Sequence, residues 1–340
     1  MTEQVEPAFL DADNRAEVER YVVARGLVRA TGLPIEVGRA GAGNMNLALR
    51  VTPAAGRSFI LKQGRPWVEK YKHIPAPFER TLVEAAFYAA VQADALVASR
   101  MPAVLHLDRD NRVLVLEDVG GAGDFTSMYA DGVMPAATVS ALLEWLERLA
   151  FVEIPSEGRA IFANRAMRTL NHEHQFRFPL VEANGLDLDG ITPGLREAAL
   201  ELTRDRVYGE AVAVLGNQYL ADGETLVHGD YFPGSWLKAS DGVRVIDPEF
   251  CFLGDPEFDC GVIAAHLTIA QCDPIALEMV TASAESRHLD VALVAAYAGV
   301  EIMRRLIGVA QLPVAYGIDR KRALLQHSRR LVVEPSKGLA

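Results

Sequence analysis

The sequence predicts an α+β protein of two lobes, a small β-rich N-lobe over residues 1–119 and a larger, mainly helical C-lobe over residues 120–340. Three observations carry this expectation. Short apolar runs separated by turn residues fill the first 119 positions and leave room for one main helix. Gly120, Gly121 and Gly123 then loosen the chain. From about Pro135 the apolar spacing is mostly helical, interrupted near 225–250.

Taken in order, Arg15 to Ala30 reads as an amphipathic helix that ends near Thr31-Gly32-Leu33-Pro34. Strand, glycine loop and strand follow in IEVGRAGAGNMNLALRVT, with Leu47, Leu49 and Val51 on one face. A third strand, SFILKQ, ends on Lys62 and Gln63. After a proline-aromatic connection, a long helix is expected from Phe78 to Val97, carrying Glu84. VLHLD and NRVLVLED form a hairpin around Asp108 to Asn111 and bring the expected sheet to five strands. The later interruption is read as a catalytic hairpin over 225–250, after which helices resume from Phe258.

Half of the 340 residues are hydrophobic, enough for a large core in two lobes. A net charge of -11 argues against nucleic acid or an anionic membrane as the main partner. Cys251, Cys260 and Cys272 form no CxxC pair and are expected to be buried, reduced thiols. The acidic N-terminus is not a signal peptide, and no apolar run reaches the ~18 residues of a spanning helix. A cytoplasmic protein is therefore expected.

The chemistry concentrates in LVHGDYFPGSWL (Leu226 to Leu237) and VRVIDPEF (Val243 to Phe250). Asp230, delivered by an apolar strand into a tight loop, can orient and deprotonate a hydroxyl; the alternative is a plain turn aspartate. His228 is expected to brace that loop. Ser235 lies five residues beyond Asp230. Asp247 and Glu249, two apart at a strand end, are read as pointing the same way. Two such carboxylates favour Mg²⁺ over a solvated strand end. A base, a polar side chain and a metal aspartate in this order make up a phosphoryl-transfer centre.

Lys62 either snorkels to water or meets phosphates held by Glu84, with Glu79 as a rival partner. The loop of Gly41, Gly43, Asn44 and Asn46 either approaches phosphates or simply turns a hairpin. Asp259 caps a helix or braces the catalytic loop. Arg304 and Arg305, set in an apolar helix, need an anionic or hydroxyl-rich partner, which is either a structural carboxylate or the substrate. His172 and His174 lack companion ligands at metal spacing and are read as structural or acceptor-site polar residues.

These segments resemble the aminoglycoside phosphotransferase and choline kinase-like superfamily, above all its 5-methylthioribose kinase branch. The resemblance runs from Ile35 to Ala310 through GAGNMNLALRV, ILKQGRPWVEKY, HGDYFPGS, VIDPEFCFLGDPEFDCG and EIMRRLIGVA. It implies a protein-kinase-like bilobal fold and an ATP- and Mg²⁺-dependent kinase of a small hydroxylated, sugar-like metabolite. Carried over by position, Lys62 contacts the ATP phosphates and Glu84 holds it. Asp230 is the base, Asp247 and Glu249 bind Mg²⁺, and Arg304 and Arg305 contact the acceptor. The Glu117-Asp118 segment lies at the adenine hinge. Ser235 takes the place of an asparagine in many relatives. Tyr231 and Phe232 stand where Leu-His-Thr is usual, and so are expected beside the acceptor. An aminoglycoside kinase and a nucleotide-binding pseudokinase are the alternatives, and a homodimer is left open.

Overall fold

The computed structural model describes residues 8–41, 45–121, 123–312 and 314–339. The fold class expected of the sequence is the one observed. The chain divides into two compact units, Met1–Gly121 and Ala122–Ala340.

The first unit is built on a sheet of order β1-β2-β3-β5-β4. Its strands are β1 (Ile35–Arg39), β2 (Leu47–Pro53), β3 (Phe59–Gln63), β4 (Val104–Asp108) and β5 (Val113–Glu117). All neighbouring pairs run antiparallel. The strands alternate as the sequence does: Leu47, Leu49 and Val51 are buried together with Leu61, Val113 and Val115. Helix α1 (Arg15–Ala24) adds Val18 and Val22 to this core.

Two helices are shorter than expected. α1 stops at Ala24 because Gly26 takes a left-handed φ of 69° and Leu27 N–H turns back to Val22 O. The expected Phe78–Val97 helix is instead α2 (Arg80–Ala90), a 3₁₀ turn and α3 (Ala95–Ser99). Asp94 makes the break, since its carboxylate accepts the N–H groups of Leu96 and Val97 and so starts a new helix.

The second unit opens with α4 (Met128–Asp131), α5 (Ala136–Leu149), α6 (Arg159–Phe162) and α7 (Arg165–His172). A π-helical turn, Glu173–Arg177, continues α7, and His172 stacks on Phe176 within it. Next come α8 (Leu188–Ile191), α9 (Leu195–Thr203) and α10 (Arg206–Leu220). The 225–250 segment is not one hairpin. β6 (Thr225–Val227) pairs with β9 (Phe252–Gly254), and the hairpin of β7 (Trp236–Ala239) and β8 (Gly242–Val245) is nested between them in sequence. This nesting leaves two loops, 228–235 and 246–251, to carry the candidate chemistry.

α11 (Glu257–Ala270), α12 (Pro274–Ser286), α13 (Val291–Ile307) and α14 (Ile318–Val333) complete the unit. α11 and α13 are buried on nearly every face, so polar residues on them must find partners inside the protein. Cys251, Cys260 and Cys272 are all buried, and burial pushes the thiols of Cys260 and Cys272 up to about 11. No helix among the described residues is long and apolar enough to cross a membrane.

Candidate active site

In the first unit, β3 delivers Lys62 into the interior, where its Nζ lies 2.8 Å from Glu84 Oε2. Both side chains are almost wholly buried. The rival carboxylate, Glu79, instead pairs with Arg112 at 2.6 Å near the surface. α2 therefore presents Glu84, one turn further on, to the lysine strand.

The glycine connection joins β1 to β2, closed by Ala40 N–H to Ala48 O at 2.9 Å. Gly41 has a φ of 77°, which a side chain would strain. Gly43 and Asn44 lie outside the described residues. Asn46 is buried, and its Oδ1 accepts from Arg80 Nε at 2.7 Å.

Arg80, which the sequence reading passed over, is fully buried and donates to Met45 O (2.7 Å), Arg65 O (2.5 Å) and Pro77 O (2.8 Å) as well. One face of α2 thus ties down both the end of the glycine connection through Arg80 and Lys62 through Glu84, four residues apart. Such an arginine is readable only as a helix-surface residue until its carbonyl partners are known.

Glu117 does not offer its amide to a ligand. Its N–H donates to Ala103 O at 2.8 Å, and its carboxylate accepts from Ala103 N–H at 3.3 Å. This is the pairing that closes the base of the β4–β5 pair. Asp118 next to it accepts a bidentate Arg50 (2.8 and 3.1 Å) and Ser58 Oγ at 2.7 Å. Burial would raise the Asp118 carboxyl, but Ser58 and Arg50 outweigh it and hold it low.

In the second unit, Asp230 sits on the loop after β6. Asp259, at the start of α11, braces that loop by accepting His228 N–H at 2.6 Å and Gly229 N–H at 3.0 Å. Burial pushes the Asp259 carboxyl up to about 7 against the pull of those two amides. Asp230 N–H donates to His228 Nδ1 at 3.3 Å, which leaves Nε2–H to donate to Ile246 O at 2.9 Å. His228 is thereby set as the neutral Nε2–H tautomer and links the two loops.

Gly229 has a φ of 85°, and a Cβ there would stand 2.2 Å from Phe250 O. Gly229→Ala is expected to cost about 2 kcal/mol or more from strain and clash together, measured by urea unfolding, and to displace Asp230. A variant as stable and as active as the parent would refute this account of the loop.

Several side chains are placed otherwise than the sequence suggests. Tyr231 is fully buried, stacked on Trp145 with centroids 5.3 Å apart, and donates its hydroxyl to Leu142 O at 3.0 Å. It belongs to the core and presents no surface to an acceptor. Its half-buried neighbour Phe232 lies under Arg305 instead, 4.5 Å from guanidinium carbon to ring centre. Ser235 is buried and donates Oγ to Asp230 O at 3.0 Å, so in this structure it fastens the backbone of Asp230. Asp247 and Glu249 do not share a strand face, because β8 ends at Val245. Asp247 is left-handed (φ 63°, ψ 48°) and caps the 3₁₀ turn Pro248–Phe250. A left-handed non-glycine residue costs about 1–3 kcal/mol and is retained where its surroundings demand it, commonly at functional sites. Asn164, also missed, holds this turn by donating to Glu249 O and Cys251 O.

Arg304 and Arg305 take the structural alternative: both are paired with carboxylates of the protein itself. Arg304 Nη2 and Arg305 Nη2 both donate to Asp230 Oδ1, at 2.9 and 3.2 Å. Their Nε atoms bond Glu301, Arg304 to Oε2 and Arg305 to Oε1 at 2.7 Å. No described group donates to Asp230 Oδ2, and its side chain keeps 21% exposure. One carboxylate oxygen is thus held by two cations while the other accepts from no described group.

A β-rich unit with a buried lysine–glutamate pair, followed by a helical unit with a braced loop aspartate and a Asp-Pro-Glu turn, defines a kinase-like phosphotransferase fold. The chain belongs to the phosphotransferase enzyme family (APH), whose model matches residues 36–297. It is 27% identical over 242 residues to a protein named methylthioribose kinase from Yersinia enterocolitica, covering 68% of this chain and 59% of that one. It is 28% identical over 262 residues to one of the same name from Exiguobacterium sibiricum, covering 72% and 64%. The chain therefore spans less than two thirds of the length of these relatives. Among solved structures, a choline/ethanolamine kinase family protein from Mesorhizobium loti matches with a TM-score of 0.54 at 17% identity, over 94% of this chain and 99% of that one. That likeness is one of fold.

Proposed function

We propose that this chain is an ATP- and Mg²⁺-dependent kinase that phosphorylates a hydroxyl of an uncharged, sugar-like metabolite, with 5-methylthioribose the first acceptor to test. The observation that carries the proposal is Asp230, whose Oδ1 is clamped by Arg304 and Arg305 while Oδ2 stays open. Asp230 takes the proton of the acceptor hydroxyl. That oxygen bonds the γ-phosphorus as the bond to the leaving ADP oxygen breaks, without a phosphoenzyme. In the first unit Lys62, fixed by Glu84, receives the nucleotide phosphates. The assignment of nucleotide to the first unit and acceptor to the second belongs to the same proposal.

Asp247 and Glu249 are the residues that would hold the metal. Among the described residues no group of three or more His, Cys, Asp or Glu gathers around a metal-sized space. A two-carboxylate oxygen set suits Mg²⁺, which takes one or two carboxylates and completes its shell with phosphates and water. When bound, Mg²⁺ neutralises charge on the phosphates and helps align them.

Arg304 and Arg305 are balanced by Asp230 and Glu301, so the preference for an uncharged acceptor over choline or an aminoglycoside rests on the likeness to proteins named methylthioribose kinase. The presence of Lys62, Asp230 and Asp247 together disfavours a pseudokinase. The test is ADP release with Mg²⁺-ATP over methylthioribose, other pentoses, choline, homoserine and several aminoglycosides. Turnover on methylthioribose alone is the expected result. Turnover on a cationic acceptor alone would overturn the acceptor class, and ATP binding with silence across the panel would favour the pseudokinase.

A further inference from the structure

Deep in the second unit lies a buried hydrogen-bonded chain. Tyr129 OH on α4 lies 2.6 Å from His266 Nδ1 on α11. His266 Nε2 lies 3.0 Å from Glu301 Oε1 on α13. Glu301 also receives the Nε–H groups of both arginines, which in turn hold Asp230. We propose that Glu301 and His266 are positioning residues that lock the Arg304–Arg305 pair onto Oδ1 of Asp230, so that Oδ2 alone is presented to the acceptor. The inference rests on the reading of Asp230 as the base.

The donors run in one direction. His266 is fully buried, and burial takes it down to about 4 despite the pull of Glu301, so the ring is neutral near pH 7. A neutral ring facing an ionised Glu301 donates from Nε2 and accepts at Nδ1. Tyr129, whose ionisation burial disfavours strongly, supplies that proton. Burial would also raise Glu301, but Arg304 and Arg305 outweigh it and keep it well below the usual carboxylate range. Two arginine charges then face two carboxylate charges, and the buried cluster is balanced.

The geometry explains why two adjacent cations can sit side by side at a base. Arg304 and Arg305 lie three and four residues beyond Glu301, so one helical turn directs both Nε–H groups back to its carboxylate. Their Nη2 groups are then aimed at a single oxygen. Phe232 supports the arrangement from the other side, against Arg305 and tilted on His266 at 5.7 Å. Without Glu301 the two guanidiniums would repel and would compete for both oxygens of Asp230.

The test compares Glu301→Gln, His266→Phe and His266→Gln with the parent, all as the full chain. A crystal structure of Glu301→Gln is expected to show one or both arginines released from Oδ1 of Asp230. In ¹⁵N-histidine spectra, His266 is expected as the Nε2–H tautomer, with a signal that moves in Glu301→Gln. His266→Phe is expected to lower kcat about tenfold or more with KM for ATP nearly unchanged, because misplacing a catalytic group costs rate before binding. His266→Gln keeps a donor toward Glu301 and is expected to recover most of that loss. Arginines still paired on Oδ1 in Glu301→Gln, or equal kcat in the two His266 variants, would overturn the inference. Should Glu301→Gln not fold, the His266 pair decides. Absence of turnover in the parent would remove the proposed function, whereas the arginine positions in Glu301→Gln would still decide this one.

Discussion

Asp230→Asn is expected to lower kcat about a hundredfold to ten-thousandfold, the range a positioned general base contributes, while ATP affinity changes little. The amide keeps the shape of the carboxylate and can still accept from Arg304 and Arg305 at Oδ1, so the loop held by Asp259 and His228 stays in place. What is lost is the capacity to take a proton at the open atom. Steady-state kinetics with the best acceptor and calorimetric titration of Mg²⁺-ATP separate the two effects. A variant within about tenfold of the parent in kcat would mean that another group, or none, serves as base.

Lys62→Met is expected to destabilise the first unit by about 3–5 kcal/mol, because it strips the cation from a buried glutamate. The same change should abolish useful nucleotide phosphate binding, since Lys62 is the proposed phosphate contact. The double variant Lys62→Met/Glu84→Leu should regain much of the stability and none of the activity. Replacing a buried ion pair by apolar groups is often neutral, whereas breaking it is not. Urea unfolding of the two single variants and the double one gives the coupling energy directly. If the double variant is no more stable than Lys62→Met, the pair does not hold the unit together as described.

Much of the candidate site was legible because its local patterns are short-range. Lys62 lies at the end of an apolar strand, Asp230 follows another, and the helix with Glu84 begins where the apolar spacing becomes helical. Strand alternation alone put Leu47, Leu49 and Val51 on the buried face. The side-chain roles within irregular loops were not legible. Tyr231 and Phe232 are neighbours with opposite fates, one in the core on Trp145 and one against Arg305. No periodicity governs a loop, so neither fate follows from position. The same holds for Ser235, turned back onto Asp230, and for Asp247, whose left-handed backbone ends the strand geometry that would have aligned it with Glu249.

Composition and apolar spacing were enough for two lobes, the sheet in the first, the helices of the second and the segments that bear the chemistry. Those properties depend on period and on residues a few positions apart, which any stretch of chain carries with it. The choice of Glu84 over Glu79, the clamp made by Arg80, and the line from Tyr129 through His266 and Glu301 to Asp230 came only with folding. His266 and Glu301 are 35 residues apart, and Asp230 lies more than 70 residues from its arginines. Bonds of that range exist because burial forces polar groups on α11 and α13 to find one another, and which ones meet depends on how whole helices pack.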